Sequence, residues 1–206
     1  MPLETIGRLI LASASPRRSE LLSQLGLTFE VRPPRVDETP LSGEAPKAHV
    51  LRLAEAKARA VSAEAPTAWV LAADTIVAIS GRILGKPGSF AEAVDMLTTL
   101  SGREHEVFTG FCVSRADRDI LIREAVGSAV LFKEVAPDER DWYAASPEPY
   151  DKAGGYAVQG IGGFLVREIR GSCSNVVGLP LCEVVAALKS LGAIRFFSGE
   201  SDGYRR

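Results

Sequence analysis

Cysteine and histidine are scarce in this chain, and their placement excludes several kinds of site. Cys112, Cys173 and Cys182 form no CxxC pair, and His49 and His105 complete no zinc-ligand spacing with them. Reduced thiols in a cytosol are the expectation. HExxH, GxGxxG and GxxxxGK[ST] are absent, so a zincin, a dinucleotide fingerprint and a Walker P-loop have no support. No run approaches the roughly 20 apolar residues of a membrane span. The stretch MPLETIGRLILAS also lacks a basic segment ahead of a long apolar one. These absences predict a cytoplasmic protein without a membrane partner. An excess of one charge is missing too: a net charge of −2 gives no general attraction to nucleic acid. Any positive site must be local.

What is present is an ordinary globular composition, 46% hydrophobic and 24% charged, in 206 residues. A chain of that length buries roughly 70% of its unfolded-state surface, enough for one large domain or two small lobes, and residues 1–206 are expected to form a single domain. RLILAS reads as a strand, and SPRRSELLSQLG as a helix with Ser15 at the N-cap, Pro16 at N1 and Gly26 closing it. TFEVRPP reads as a second strand. Val50, Leu53, Ala54 and Val61 recur at helical spacing over residues 44–64. WVLAADTIVAI and RILGKP form a hairpin about Ser80-Gly81. Ser89 and Glu92 have capping-box spacing before the next helix. Two β-rich segments, a helix near PDERDWYAAS, the Gly-rich DKAGGYAVQGIGG and a last helix in LPLCEVVAALKSLG follow. The mixture predicts an α/β fold with a mixed sheet and flanking helices.

Four places carry chemistry. SASPRR, residues 13–18, sets Ser13, Arg17 and Arg18 where a strand leads into a helix N-terminus. Cations are unfavourable there unless an anion binds nearby, so a phosphate site and a solvated arginine pair are both open. Lys57 falls in the middle of the apolar stripe of the 44–64 helix, where it either snorkels or meets an anion. Asp74 stands alone in the apolar run AWVLAADTIVAI, although an unpaired buried carboxylate costs several kcal/mol. Hairpin register puts Lys86 within one step of Asp74, as a structural ion pair or as a cleft pair. Glu38, in the loop RVDETP, is a further carboxylate within possible reach. The Gly-rich segment offers the Gln159 amide, with a bulged hairpin as the plain alternative. Cations and carboxylates in this mixture suggest a polyanionic substrate with a divalent metal.

LASASPRRSELL, ETP before a helix bearing EAK, AADTIVAI, GKP, SGREHEVFTG, DKAGGYAVQG and NVVGLPL together resemble the Maf family of nucleoside triphosphate pyrophosphatases, from about Leu9 to Leu191. The resemblance implies a Maf/ITPase-like α/β fold of two lobes around a deep cleft. It also implies hydrolysis of a nucleoside triphosphate to monophosphate and pyrophosphate with Mg²⁺ or Mn²⁺, and by analogy a homodimer. Asp74 matches the catalytic carboxylate, which activates water or holds the metal, with Glu38 as an acidic residue of the cleft and possible second metal ligand. Arg18, Lys57 and Lys86 match basic residues lining the triphosphate path, Lys86 among the catalytic residues and Ser13 among those that bind substrate. Arg17, Thr75 and Gln159 match the branch acting on dTTP and UTP, whereas the 7-methyl-GTP branch resembles SPWRR, SDQ and SEG there. AADT replaces the commoner GADT and keeps the aspartate in register. A role as a nucleotide-binding regulator of cell division, with incidental hydrolysis, is the alternative the resemblance carries.

Overall fold

The computed structural model describes residues 3–196. In chain order the elements are β1 (Leu3–Thr5), β2 (Leu9–Ala12), α1 (Pro16–Gln24), β3 (Glu30–Val31), α2 (Pro46–Glu64), β4 (Trp69–Ile79) and β5 (Arg82–Leu84). They continue with α3 (Phe90–Leu100), β6 (Glu104–Arg115), β7 (Ile120–Phe132), α4 (Pro137–Ala144), β8 (Val166–Arg170), α5 (Cys173–Val177), α6 (Leu181–Ser190) and β9 (Ile194–Phe196). Seven strands make one mixed sheet in the order β3-β2-β4-β6-β7-β8, with β5 on β4; β1 and β9 form a separate antiparallel pair.

Strand alternation explains how the sheet is covered. On one face Leu9, Leu11, Trp69, Leu71, Phe111 and Val113 pack beneath α1 and α6. On the other, Ile10, Ala12, Val70, Ala72 and Cys112 pack beneath Ala54, Ala58 and Val61 of α2. Burial of both faces is why β4 reads as a continuous apolar run. Farther along the same strands, Val77, Ile79 and Val107 join Leu97, Phe132, Tyr143 and Leu165 in a second core. The long strands β4, β6 and β7 therefore serve two lobes.

The Ser80-Gly81 hairpin forms with φ of 51° and 78°, both positive as a type I′ turn requires, and Ile79 pairs with Arg82. Ser89 caps α3 by accepting from the Glu92 N–H. Three expectations need correction. The strand expected in TFEVRPP shrinks to Glu30–Val31, because Pro33 and Pro34 donate nothing to a ladder. Ser15 stands at the N-cap of α1 without capping it through its side chain. The Gly-rich segment is no hairpin but a series of short 3-10 turns over residues 148–165, followed by β8. Its backbone is engaged elsewhere: the Gly154 N–H donates to Gly85 O at 2.9 Å, tying this segment to the end of β5.

Candidate active site

A gap along one edge of β4 creates the site. Parallel pairing with β2 ends at Ala12–Ala72, and antiparallel pairing with β5 begins only at Val77–Leu84. Residues 73–76 have no strand on that edge, so their backbone groups need other partners. Arg18 supplies one: its Nη1 donates to Ala73 O at 2.8 Å and to Ser13 Oγ at 3.0 Å. Its Nε donates to Gly178 O at 2.8 Å and its Nη2 to Thr75 Oγ1 at 3.0 Å. Four of the five guanidinium N–H groups are thus used within the chain. Burial disfavours the charge and draws the Arg18 pKa down, while Asp74 acts the other way.

Successive residues of β4 face opposite sides, and both sides open into this gap. Asp74, 8% exposed, faces α2, where the Lys57 Nζ donates to its Oδ1 at 2.7 Å. Glu38 Oε1 lies 2.5 Å from the same Nζ. Burial opposes ionisation of Glu38, but the Lys57 hydrogen bond and the charges of Lys57, Lys86 and Arg18 outweigh it and hold the carboxyl below its usual range. The two residues that looked misplaced in the sequence, a lysine in an apolar stripe and an aspartate in an apolar strand, are partners. Asp74 does not pair with Lys86. The ladder stops at Leu84, and the exposed Lys86 makes no ion pair among the described residues. Pairing Thr75 with Lys86 by register fails for the same reason.

Gly110 sets how closely α2 approaches. It pairs with Asp74 across β4 and β6, and a Cβ there would lie 2.5 Å from Val50 O of α2. Only glycine lets the helix backbone rest on the strand at this point. Glu38 is placed by the β3–α2 loop, which Arg52 anchors by donating to Thr39 O and to both Glu44 carboxylate oxygens. His49 adds a 2.8 Å contact to Glu44.

Ser13, Arg17, Arg18, Glu38, Lys57, Asp74, Thr75, Lys86 and Gln159 all line one cleft of about 510 Å³, a size suited to a nucleotide-scale ligand. Arg17 crosses its mouth to Asp151, Nη1 to Oδ2 at 3.0 Å. Gln159 is exposed to the cleft. Lys152 and Tyr156 also line it, and neither they nor Asp151 were singled out from sequence. DKAGGY contains all three, but an adjacent Asp-Lys pair in a loop has no sequence feature that separates it from a solvated surface pair. Lys152 donates to Glu148 O and lies 2.5 Å from Asp151. Tyr156 Oη meets His105 Nε2 at 2.7 Å, fixing the wall from behind.

Asp74 and Glu38, which already share one cation, fit a divalent metal by charge and by oxygen chemistry. No group of three or more His, Cys, Asp or Glu converges among the described residues. Two carboxylates are what a hard cation needs when phosphate oxygens complete its shell.

A mixed sheet opened along one strand edge, with carboxylates and cations from distant segments in the gap, defines a binding cleft for a polyanion. The family model described as Maf-like protein matches residues 8–191, and the chain belongs to that family. It is 56% identical over 195 residues to a dTTP/UTP pyrophosphatase of Syntrophus aciditrophicus, covering 95% of each chain. A dTTP/UTP pyrophosphatase of Myxococcus xanthus is 53% identical over 184 residues, 89% of this chain and 92% of that one. Among solved structures, the Staphylococcus aureus Ham1 protein aligns with a TM-score of 0.41 and 18% identity over 63% of this chain and 72% of that one, too loose to carry an argument. Among the described residues no helix is long and apolar enough to cross a membrane.

Proposed function

We propose that this chain is a nucleoside triphosphate pyrophosphatase that hydrolyses dTTP and UTP to the monophosphate and pyrophosphate. The observation that carries the reading is the meeting of Asp74, Glu38, Lys57 and Lys86, from four separate segments, in one cleft. The relatives named dTTP/UTP pyrophosphatase match along nearly all of their length, which favours the enzyme over a regulator with incidental hydrolysis.

Each residue has a chemical task. Asp74 accepts a proton from the attacking water, which adds to the α-phosphorus as pyrophosphate leaves. Lys86, which has no ion-pair partner among the described residues, is free to offset phosphate charge. Arg17 and Lys57 would exchange their carboxylate partners for phosphate oxygens. Arg18 shapes the gap and holds Thr75 and Ser13 in place, and its remaining N–H is left for substrate. Mg²⁺ or Mn²⁺, held by Asp74 and Glu38, would lower the repulsion between phosphate and an incoming hydroxide. Gln159 presents an amide that can donate and accept at once, matching the N–H and C=O edge shared by thymine and uracil.

Asp74→Asn is expected to lower turnover by at least about a hundredfold. Near wild-type pyrophosphate release from the folded variant would remove Asp74 from this role. A panel of dTTP, UTP, CTP and 7-methyl-GTP, with and without Mg²⁺ or Mn²⁺, is expected to give monophosphate plus pyrophosphate from the first two. Diphosphate plus phosphate, or a preference for 7-methyl-GTP, would refute the assignment.

A further inference from the structure

Lys57 holds a position that chemistry normally assigns to something else. Its ammonium lies 2.5 Å from Glu38 and 2.7 Å from Asp74, two carboxylates brought from a loop and from a strand. These are direct contacts, so no second cation fits between the same oxygens while Lys57 stays there. The Glu38 side chain is 53% exposed, yet among the described residues it pairs with this ammonium.

We propose that Lys57 is a stand-in for the divalent cation: it occupies the place between Asp74 and Glu38 in the free protein and gives it up when a triphosphate arrives. The inference rests on the proposed reaction and deepens it, because it makes metal affinity and triphosphate affinity depend on one side chain. A lysine suits the task. Its four-carbon stem and three rotatable donors let it change partners by side-chain rotation. Arg18 does not suit it, since four of its N–H groups are fixed to Gly178, Ser13, Ala73 and Thr75.

In the free protein the Lys57 ammonium cancels the charge that would attract a metal, so metal binds poorly. Once phosphate oxygens take over the ammonium, both carboxylates are released together. Asp74 then becomes available to metal or water in the same event that brings the α-phosphorus within reach. Coupling of this kind is reciprocal, so metal and triphosphate each raise the affinity for the other by the same factor.

The test measures Mn²⁺ alone, with no nucleotide, by loss of the free-ion electron paramagnetic resonance signal. Wild-type protein should show no saturation at this site below about 1 mM Mn²⁺, the weak end of carboxylate sites. Lys57→Met should bind at least about tenfold more tightly, because a neighbouring positive charge has gone. The gain should vanish in Lys57→Met/Asp74→Asn. Micromolar binding by the wild-type protein that Asp74→Asn abolishes would overturn the proposal without any lysine variant. A folded Lys57→Met that binds no more tightly would overturn it too, and Lys57→Gln replaces it if Met prevents folding. Product analysis plays no part here, so failure of the pyrophosphatase reading would be seen separately in the nucleotide panel.

Discussion

At the scale of single residues, Arg18 shows how a charged group becomes part of a scaffold. Its guanidinium satisfies the carbonyls of Ala73 and Gly178, which the gap beside β4 and the turn after α5 leave without strand or helix partners. Arg18→Met should leave the Ala73 carbonyl unpaired and Gly178 O with only the long 3.4 Å contact from Thr75 Oγ1, and cost about 1–3 kcal/mol. Urea denaturation would check this; an unchanged midpoint would show that water replaces the side chain. Arg18→Lys should recover only part of the loss, since a point charge cannot span four acceptors. The sequence flagged Arg18 as a cation beside a helix N-terminus. It did not reveal its burial, because Gly178 lies 160 residues away and the gap depends on where β2 stops. Lys57 and Asp74 were each legible as oddities for the same kind of reason: an ionic group among apolar neighbours stands out locally. Their pairing was not legible, since it depends on how a helix lies across a strand.

At the scale of elements, that relation between helix and strand is governed by Gly110. A Cβ at this position would meet the Val50 carbonyl and lift α2 from the sheet. Gly110→Val is therefore expected to destabilise the fold by at least about 1–3 kcal/mol, as overpacking does. It should also raise KM and lower kcat together, because α2 carries Lys57 and anchors the Glu38 loop. Comparing thermal unfolding with steady-state kinetics distinguishes this from a purely local clash, which would change stability alone. Elements with strong local signals were readable from sequence: the Ser80-Gly81 turn, the Ser89 cap and the apolar stripe of α2. The Gly-rich segment was not. Composition gave it freedom, and a tertiary hydrogen bond from Gly154 to Gly85 chose the conformation. β1, β9 and α5 escaped notice because three to five residues carry too little pattern to assign.

At the scale of the molecule, two groups with strongly displaced pKa values contribute to the response to acid. His105 sits against Phe132 and Tyr156, and burial pushes its pKa down from 6.5 to about 4. As pH falls through 6.5 the unfolded chain takes up a proton that the folded one refuses, so stability drops until pH reaches about 4. Glu44 acts lower. The Arg52 hydrogen bond, against the opposing effect of burial and with help from His49, holds it near 2, down from 4.5. Its contribution is complete above 4.5 and is lost as pH falls towards 2. Melting temperatures measured across both ranges should decline in each, and His105→Phe should flatten the upper one selectively. A decline there that survives the substitution would point to another group.

The strands that build the two lobes have a mechanical consequence. β4 and β6 share nine consecutive register pairs, from Val70–Ser114 to Ala78–Glu106, and this ladder passes uninterrupted behind the cleft. Swinging one lobe away from the other would have to shear that ladder, so the chain has a spine where a hinge would otherwise be. Adjustment to a ligand is then expected in side chains and in the segment bearing Glu38. Amide exchange at the β4 residues bonded to β6 should then occur at one common slow rate on both sides of Asp74, with faster exchange at amides that face the gap.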